Sequence, residues 1–334
     1  MKKLYTFLFL LLVGIPVSSF AQSPSDSIRT YVVQALNIMK NHSINKQKVD
    51  WEKLYATTLE AAKDAKTIRD THPAINKALE GLKDNHSRLY PAEVIKAYKE
   101  MGGAEASGQK LPMPTGTIVD GKYALITVPG FSAITNEDQL AFVDSIQHVI
   151  RKLDAQNPKG WIIDLRQNQG GNLEPTIAGL MPILGEGKSV GWADGDNKIT
   201  YANYKNGMII GLTDSTEHFI KSPYTLKKQG QPVAVLVSGR TSSSGEMAAI
   251  SFRGRKHTKI IGTPTQGLTT SNAPRELSDG AWLNLTDARA ADRHGKVYGG
   301  KLTPDIELTI TENASANSYL YFNAAIKHID KPKK

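Results

Sequence analysis

Apolar residues recur along this chain with two different periods. Near the amino terminus, Ile28, Val32, Leu36 and Met39 fall at three- and four-residue intervals, which predicts a helix. Two more helices are predicted at about 50–65 and 73–82. Pro73 opens the third, where a missing N–H costs little because first-turn donors have no intrahelical acceptor. From 90 to 115 the pattern weakens into a helix followed by a loose connector containing Gly102-Gly103. From Tyr123 onward short apolar runs alternate with helical stripes. Strands are predicted at 123–128, 161–165, 233–237, 258–261, 282–286 and 305–309, with a strand pair inside 198–212. Between the first two strands Leu140, Val143, Ile146, Val149, Ile150 and Leu153 form one helical face. Asn136 and Gln139 open that helix in the manner of a capping box. Further helices are predicted at about 174–184 and 316–329, and 185–189 reads as a loop. Strand and helix in alternation predict an α/β protein, and no internal repeat is present.

The first residues follow another rule. Met1-Lys2-Lys3 precede an apolar run at 4–17 and then Ser19-Phe20-Ala21. This is the layout of a secretory leader cut after Ala21, and the run is short for a membrane span. Removing 21 of the 334 residues leaves 313, enough for one large domain and a small appendage. The leader carries Lys2 and Lys3 and no acid, so the formal charge falls from +9 to +7. The remaining basic residues are scattered, which predicts a solvated surface rather than a nucleic-acid partner. With no cysteine there is no disulfide framework, thiol nucleophile or lipid-attachment cysteine. The eight histidines form no metal-ligand pair, so neither metal nor cofactor is expected. The expectation is an exported protein, periplasmic or extracellular, without a membrane span once the leader is removed.

Candidate chemistry gathers at two turns. The strand at 233–237 runs into Thr241-Ser242-Ser243-Ser244-Gly245 and then the helix-compatible Glu246-Met247-Ala248-Ala249-Ile250. Such a turn can aim a hydroxyl outward and leave N–H groups free at the helix start. Acyl transfer needs both a nucleophile and oxyanion donors. The same residues also serve simply to cap a helix. The second turn, Gly170-Gly171, follows the strand at 161–165, and glycines there permit positive φ and close approach. It lacks the Gly-x-Gly-x-x-Gly of a dinucleotide site. Gly187-Lys188-Ser189 lacks the upstream glycine of a P-loop, because that position is Pro182.

Taken together, Asp164-Leu165-Arg166-x-Asn168-x-Gly170-Gly171, Thr241-Ser242-Ser243-Ser244-Gly245-Glu246 and Gly262-x-Pro264-Thr265-x-Gly267 resemble the S41 serine peptidases, the carboxyl-terminal processing and tricorn-like proteases. Asp84-x-His86-Ser87 and Tyr298-Gly299-Gly300-x-x-x-Pro304-Asp305 extend the resemblance over roughly 72–308. It implies a ClpP/crotonase-like spiral core, with 22–90 as a helical cap and 91–334 as the catalytic domain. The cap and core are too close in sequence for an intervening PDZ domain. The resemblance implies Ser243 as nucleophile, and Gly170, Gly171 and Ser244 as oxyanion donors. Where processing proteases carry their lysine base, this chain has Leu268; Lys256 and Lys259 lie outside the motif. The tricorn-like branch uses a histidine, which maps to His86, although Asn85 replaces the serine before it. An imidazole titrates near neutral pH and suits general-base work. Glu246 and Asp292 are candidates for acidic support. The implied activity is peptide-bond hydrolysis through a Ser243 acyl-enzyme, on peptide or protein substrates. The alternative is a non-catalytic member that binds a hydrophobic ligand or peptide. A crotonase-type acyl-CoA activity fits poorly with export, since CoA is intracellular.

Overall fold

A computed structural model describes residues 24–100, 110–133, 135–205, 208–210 and 223–331. The leader lies outside the described residues. Three helices come first: α1 (Pro24–His42), α2 (Trp51–Ala61) and α3 (His72–Gly81), with β1 (Arg88–Tyr90) and α4 (Ala92–Glu100) after them. Then follow β2 (Thr115–Val119), β3 (Tyr123–Thr127), α5 (Asn136–Asp154), β4 (Gly160–Asp164) and α6 (Leu173–Leu184). The next elements are β5 (Gly187–Asp194), β6 (Ile199–Lys205), β7 (Met208–Ile210), β8 (Val233–Val237) and α7 (Ser244–Ser251). The chain ends with β9 (Thr258–Gly262), β10 (Thr270–Glu276), β11 (Trp282–Asp292), β12 (Ile306–Glu307) and α8 (Ala314–Ile329). No helix among the described residues is long and apolar enough to cross a membrane.

Two sheets organise these elements. The first has the order β12-β9-β8-β4-β3-β2, parallel except for β2 at its edge. Its inner strands β4 and β8 are buried on both faces, which is why they read as continuous apolar runs. Along β8, Val233, Val235 and Val237 join the core that also holds Phe142, Ile146 and Ile177 from α5 and α6. Ala234 and Leu236 point the other way, into the core beneath α8 with Tyr321, Ala325 and Ile329. The second sheet is antiparallel and is built around the long β11, which pairs with β1, β5 and β10. The apolar faces of α1 and α3 close on this sheet: Leu36, Met39, Ile75 and Leu79 share a core with Leu283 and Leu285 of β11.

Three local readings change. The amino-terminal cap of α5 is Thr135, whose side chain accepts from the Asp138 N–H at 3.1 Å, one residue before the expected Asn136. Residues 187–189 are the start of β5 and not a loop. The strand expected at 282–286 continues to Asp292, because β10 and β5 supply partners along its length.

Candidate active site

The carboxyl ends of β4 and β8 lie side by side, and each releases one of the two turns. After β4, the buried Asn168 ties three segments together. Its Nδ2 donates to the carbonyls of Val128 and Pro129 at 3.3 and 3.0 Å, and its Oδ1 accepts from the Gly170 N–H at 3.0 Å. Its own carbonyl accepts from the Ser242 N–H at 3.0 Å. The Asp164 carboxylate holds the Arg166 side chain at 2.6 and 2.9 Å, and that guanidinium stacks over Tyr321 of α8. After β8, the Thr241 hydroxyl donates to the Leu165 carbonyl at 2.9 Å. The two turns are therefore moored to each other.

Ser243 sits between β8 and α7 with φ 50° and ψ −119°. A serine at positive φ is strained, and such strain is characteristic of a nucleophile presented on a strand-to-helix turn. The turn is held by Glu246, which is fully buried. Its carboxylate accepts from the N–H groups of Ser243, Gly267 and Leu268 at 3.0, 2.9 and 2.7 Å, and from the Thr265 hydroxyl. Burial raises the Glu246 pKa, and these four hydrogen bonds oppose the rise. Glu246 thus supports the turn through the backbone, by clamping the 262–267 loop against it.

The two glycines differ in what they offer. The Gly170 N–H is already engaged by Asn168, which corrects the expectation that both glycines supply oxyanion donors. Gly170 instead allows close approach: a Cβ there would lie 2.9 Å from that of Ser243. The Gly171 and Ser244 N–H groups have no acceptor among the described residues, and both residues line the cavity in front of Ser243. Gly171 is pinned by its neighbours. The Phe131 N–H donates to the Gly170 carbonyl at 3.0 Å, and the Asn172 N–H donates to the Phe131 carbonyl at 2.7 Å. Phe131 is anchored in turn by stacking on Phe142.

Replacing Gly171 with alanine would put a Cβ 1.9 Å from the Phe131 carbonyl oxygen, at a backbone φ of 117°. Gly171→Ala is expected to lower stability by about 2 kcal/mol or more. Turnover should fall by about 10²-fold or more as the donor is displaced. Denaturant melts and initial rates measure the two effects.

His86 lines the same cavity, of about 600 Å³. It arrives there from the loop between α3 and β1. The Asp84 carboxylate accepts from the His86 and Ser87 N–H groups at 2.9 and 2.8 Å, which shapes this loop but does not touch the ring. The His86 Nδ1 is instead 2.7 Å from the Thr270 hydroxyl. With the proton on Nδ1 donated to Thr270, Nε2 keeps a lone pair for a substrate or nucleophile proton. Burial pushes the His86 pKa below its ordinary value; Asp84 works against this and Arg88 adds to it. The neutral, proton-accepting form is therefore favoured relative to a free imidazole.

Thr270 is the residue that the sequence reading missed. It opens β10, whose run Thr-Ser-Asn-Ala-Pro-Arg-Glu has no apolar alternation. Thr270→Val keeps the shape and removes the hydroxyl. It should cost roughly tenfold in turnover, the worth of one hydrogen bond orienting the ring, with little change in melting.

The remaining candidates lie elsewhere. Asp292 accepts from the Tyr298 hydroxyl at 2.8 Å and from the His294 and Lys296 N–H groups at 2.9 and 3.1 Å, and it is not among the cavity residues. Leu268 is also absent from the cavity lining, and no lysine of the described residues lines it. Lys256 and Lys259 stand at the opposite, amino-terminal end of β9. The cavity wall includes Val94, Ile95 and Tyr98 of α4, with Trp282 and Trp192 from the second sheet. No group of His, Asp and Glu among the described residues is arranged to hold a metal ion.

With this geometry in hand, the comparisons with known proteins agree in one direction. The sequence profile of peptidase family S41 matches residues 122–308, and the chain belongs to that family. The matched span holds both turns, while His86 lies before it. The chain is 30% identical to the nisin-resistance protein of Lactococcus lactis subsp. lactis, over 90% of this chain and 89% of that one. It is 25% identical to the carboxy-terminal processing protease CtpA of Bacillus subtilis (strain 168), over 64% of this chain and only 42% of that protease's length. A lipoprotein from Streptococcus agalactiae has a similar fold, with a TM-score of 0.72 at 23% identity, over 89% of this chain and 96% of that one. The photosystem II D1 C-terminal processing protease gives 0.60 at 17% identity, over 84% and 93% of the two chains. The fold is thus the α/β core of the S41 peptidases, with helices at its amino terminus.

Proposed function

We propose that this chain is an exported serine peptidase in which Ser243 is the nucleophile and His86 the general base. The observation that carries the reading is the strained Ser243 turn facing a cavity shared with His86 and, among the described residues, free of lysine. In the proposed reaction His86 Nε2 takes the Ser243 hydroxyl proton as the oxygen attacks a peptide carbonyl. The Gly171 and Ser244 N–H groups donate to the resulting oxyanion. His86 then returns the proton to the leaving amine, and water hydrolyses the acyl-enzyme. Thr270 orients the ring in place of the usual carboxylate. Residues 22–90 form the helical cap and 91–334 the catalytic domain, with α4 of the latter walling the cavity. The leader at 1–21 directs the chain to the periplasm or the exterior. One relative is named for resistance to nisin and another for carboxy-terminal processing, which supports a peptide chain as the substrate class.

A fluorophosphonate probe tests the reading. Peptide mapping should place the adduct on Ser243, and a peptide library should be cleaved at defined bonds. Peptide binding with neither adduct nor cleavage would favour the non-catalytic, ligand-binding alternative.

A further inference from the structure

The parallel sheet has two ends. Both catalytic turns leave the carboxyl ends of its strands, and the amino ends of β3, β4, β8 and β9 gather on the far side, about 16 Å away for strands of this length. The turns that feed those strands touch one another. The Lys159 N–H donates to the Lys122 carbonyl at 2.8 Å, the Trp161 N–H to Pro232 at 2.9 Å, and the Val233 N–H to His257 at 2.9 Å. The buried Asp154 accepts from the Lys227 N–H at 2.8 Å, which draws the approach to β8 against the end of α5. His328 Nε2 lies 3.2 Å from the His257 carbonyl and brings the end of α8 to the same place.

Each of these segments exposes lysine: Lys122, Lys159, Lys227, Lys228, Lys256 and Lys331. The exposed carboxylates on the same segments are Asp120 and Asp330, and Asp330 is partly neutralised by Lys159 at 3.4 Å. Lysines far apart in sequence thus form one cationic face. We infer that this face docks the protein on an anionic phospholipid bilayer, with the catalytic cavity turned away from the lipid. The chemistry favours a bilayer over a nucleic acid. Lysine is a flexible point charge suited to a diffuse anionic plane, whereas recognition of individual phosphates favours the arginine fork. Single-stranded nucleic acid also calls for exposed aromatic platforms, and these segments expose none. Each lysine near an anionic leaflet adds to the attraction, and salt screens it.

The test is co-sedimentation of the purified full chain with phosphatidylcholine vesicles, with and without phosphatidylglycerol. The apolar run at 4–17, where retained, would favour both lipids alike, so the difference between them reads the lysine face. The protein should pellet with the anionic vesicles at low salt and be released at high salt. The combined variant Lys122→Glu, Lys228→Glu, Lys256→Glu, Lys331→Glu should partition at least roughly a hundredfold more weakly. Its circular dichroism and its cleavage of a soluble peptide should be unchanged. Equal pelleting with neutral vesicles, or unchanged binding by the variant, would overturn the inference. Retention on duplex DNA or heparin without vesicle binding would overturn it too, in favour of another polyanion.

Discussion

Ser243→Ala is expected to remove turnover almost entirely, by on the order of 10⁵- to 10⁶-fold, as when other hydroxyl nucleophiles are deleted. The Ser243 side chain also takes part, with Glu246, in the capping box at the start of α7, and losing a cap of this kind costs about 1 kcal/mol. The Ser243 N–H is held by Glu246 and its neighbour Ser242 is held by Asn168, both through backbone donors that alanine preserves. The backbone at φ 50° is as demanding for alanine as for serine, so no new strain appears. Thermal melting should therefore fall by only a few degrees while fluorophosphonate labelling disappears. The proposed oxyanion donors at Gly171 and Ser244 would remain and could sustain a small residual rate. If turnover survives at a substantial level, the nucleophile is Ser242 or Ser244 and the proposed site is wrong. If the wild type itself neither labels nor cleaves, the protein is a binder built on a peptidase fold.

The second expectation concerns the base. His86→Ala should cost roughly 10²- to 10⁴-fold in turnover, the usual worth of a general base. The pH profile makes the test sharper. Burial lowers the His86 pKa from its ordinary 6.5, so the ring takes up its second proton at a lower pH than a free imidazole does. A protonated ring cannot accept the Ser243 proton. Activity should accordingly be flat around neutrality and fall only as pH drops through a value below 6.5. A lysine base would behave differently: even when tuned, its pKa lies near 7–8, and activity would already decline on approaching neutrality from above. Leu268→Lys should not rescue His86→Ala, because position 268 does not line the cavity and its N–H is committed to Glu246. An unchanged acid limb in His86→Ala, or rescue by Leu268→Lys, would remove His86 from the mechanism.

The elements and the site were legible to different degrees. Residues 161–165 and 233–237 were readable because a strand buried on both faces must be apolar throughout, and both became inner strands of the parallel sheet. The stripe of α5 was readable because one helical face packs on that sheet while the other meets solvent. By contrast β10 carries no periodic signal, since its strand conformation comes from pairing with β11 and not from its own side chains. Thr270 was hidden for the same reason. It lies 184 residues from His86, and one hydroxyl among many gives no sign of which ring it will meet.

The sequence by itself determined the α/β alternation, the serine turn between a buried strand and a helix, and the absence of a lysine where the family often keeps its base. These properties are local: they depend on burial period, turn chemistry and residue identity over a few positions. Only the tertiary structure decided which groups face the cavity. Gly170 and Gly171 are indistinguishable by composition, yet the side chain of Asn168 occupies one N–H and leaves the other free. Asp292 and Glu246 were equally plausible carboxylates, yet Glu246 clamps the Ser243 turn and Asp292 binds Tyr298 away from the cavity lining. The lysines looked scattered because charge was read along the chain, whereas parallel strands bring their amino ends together however far apart they are in sequence. Hydrogen bonding and electrostatics act through space, and the adjacency they require exists only after the two sheets and their helices have packed.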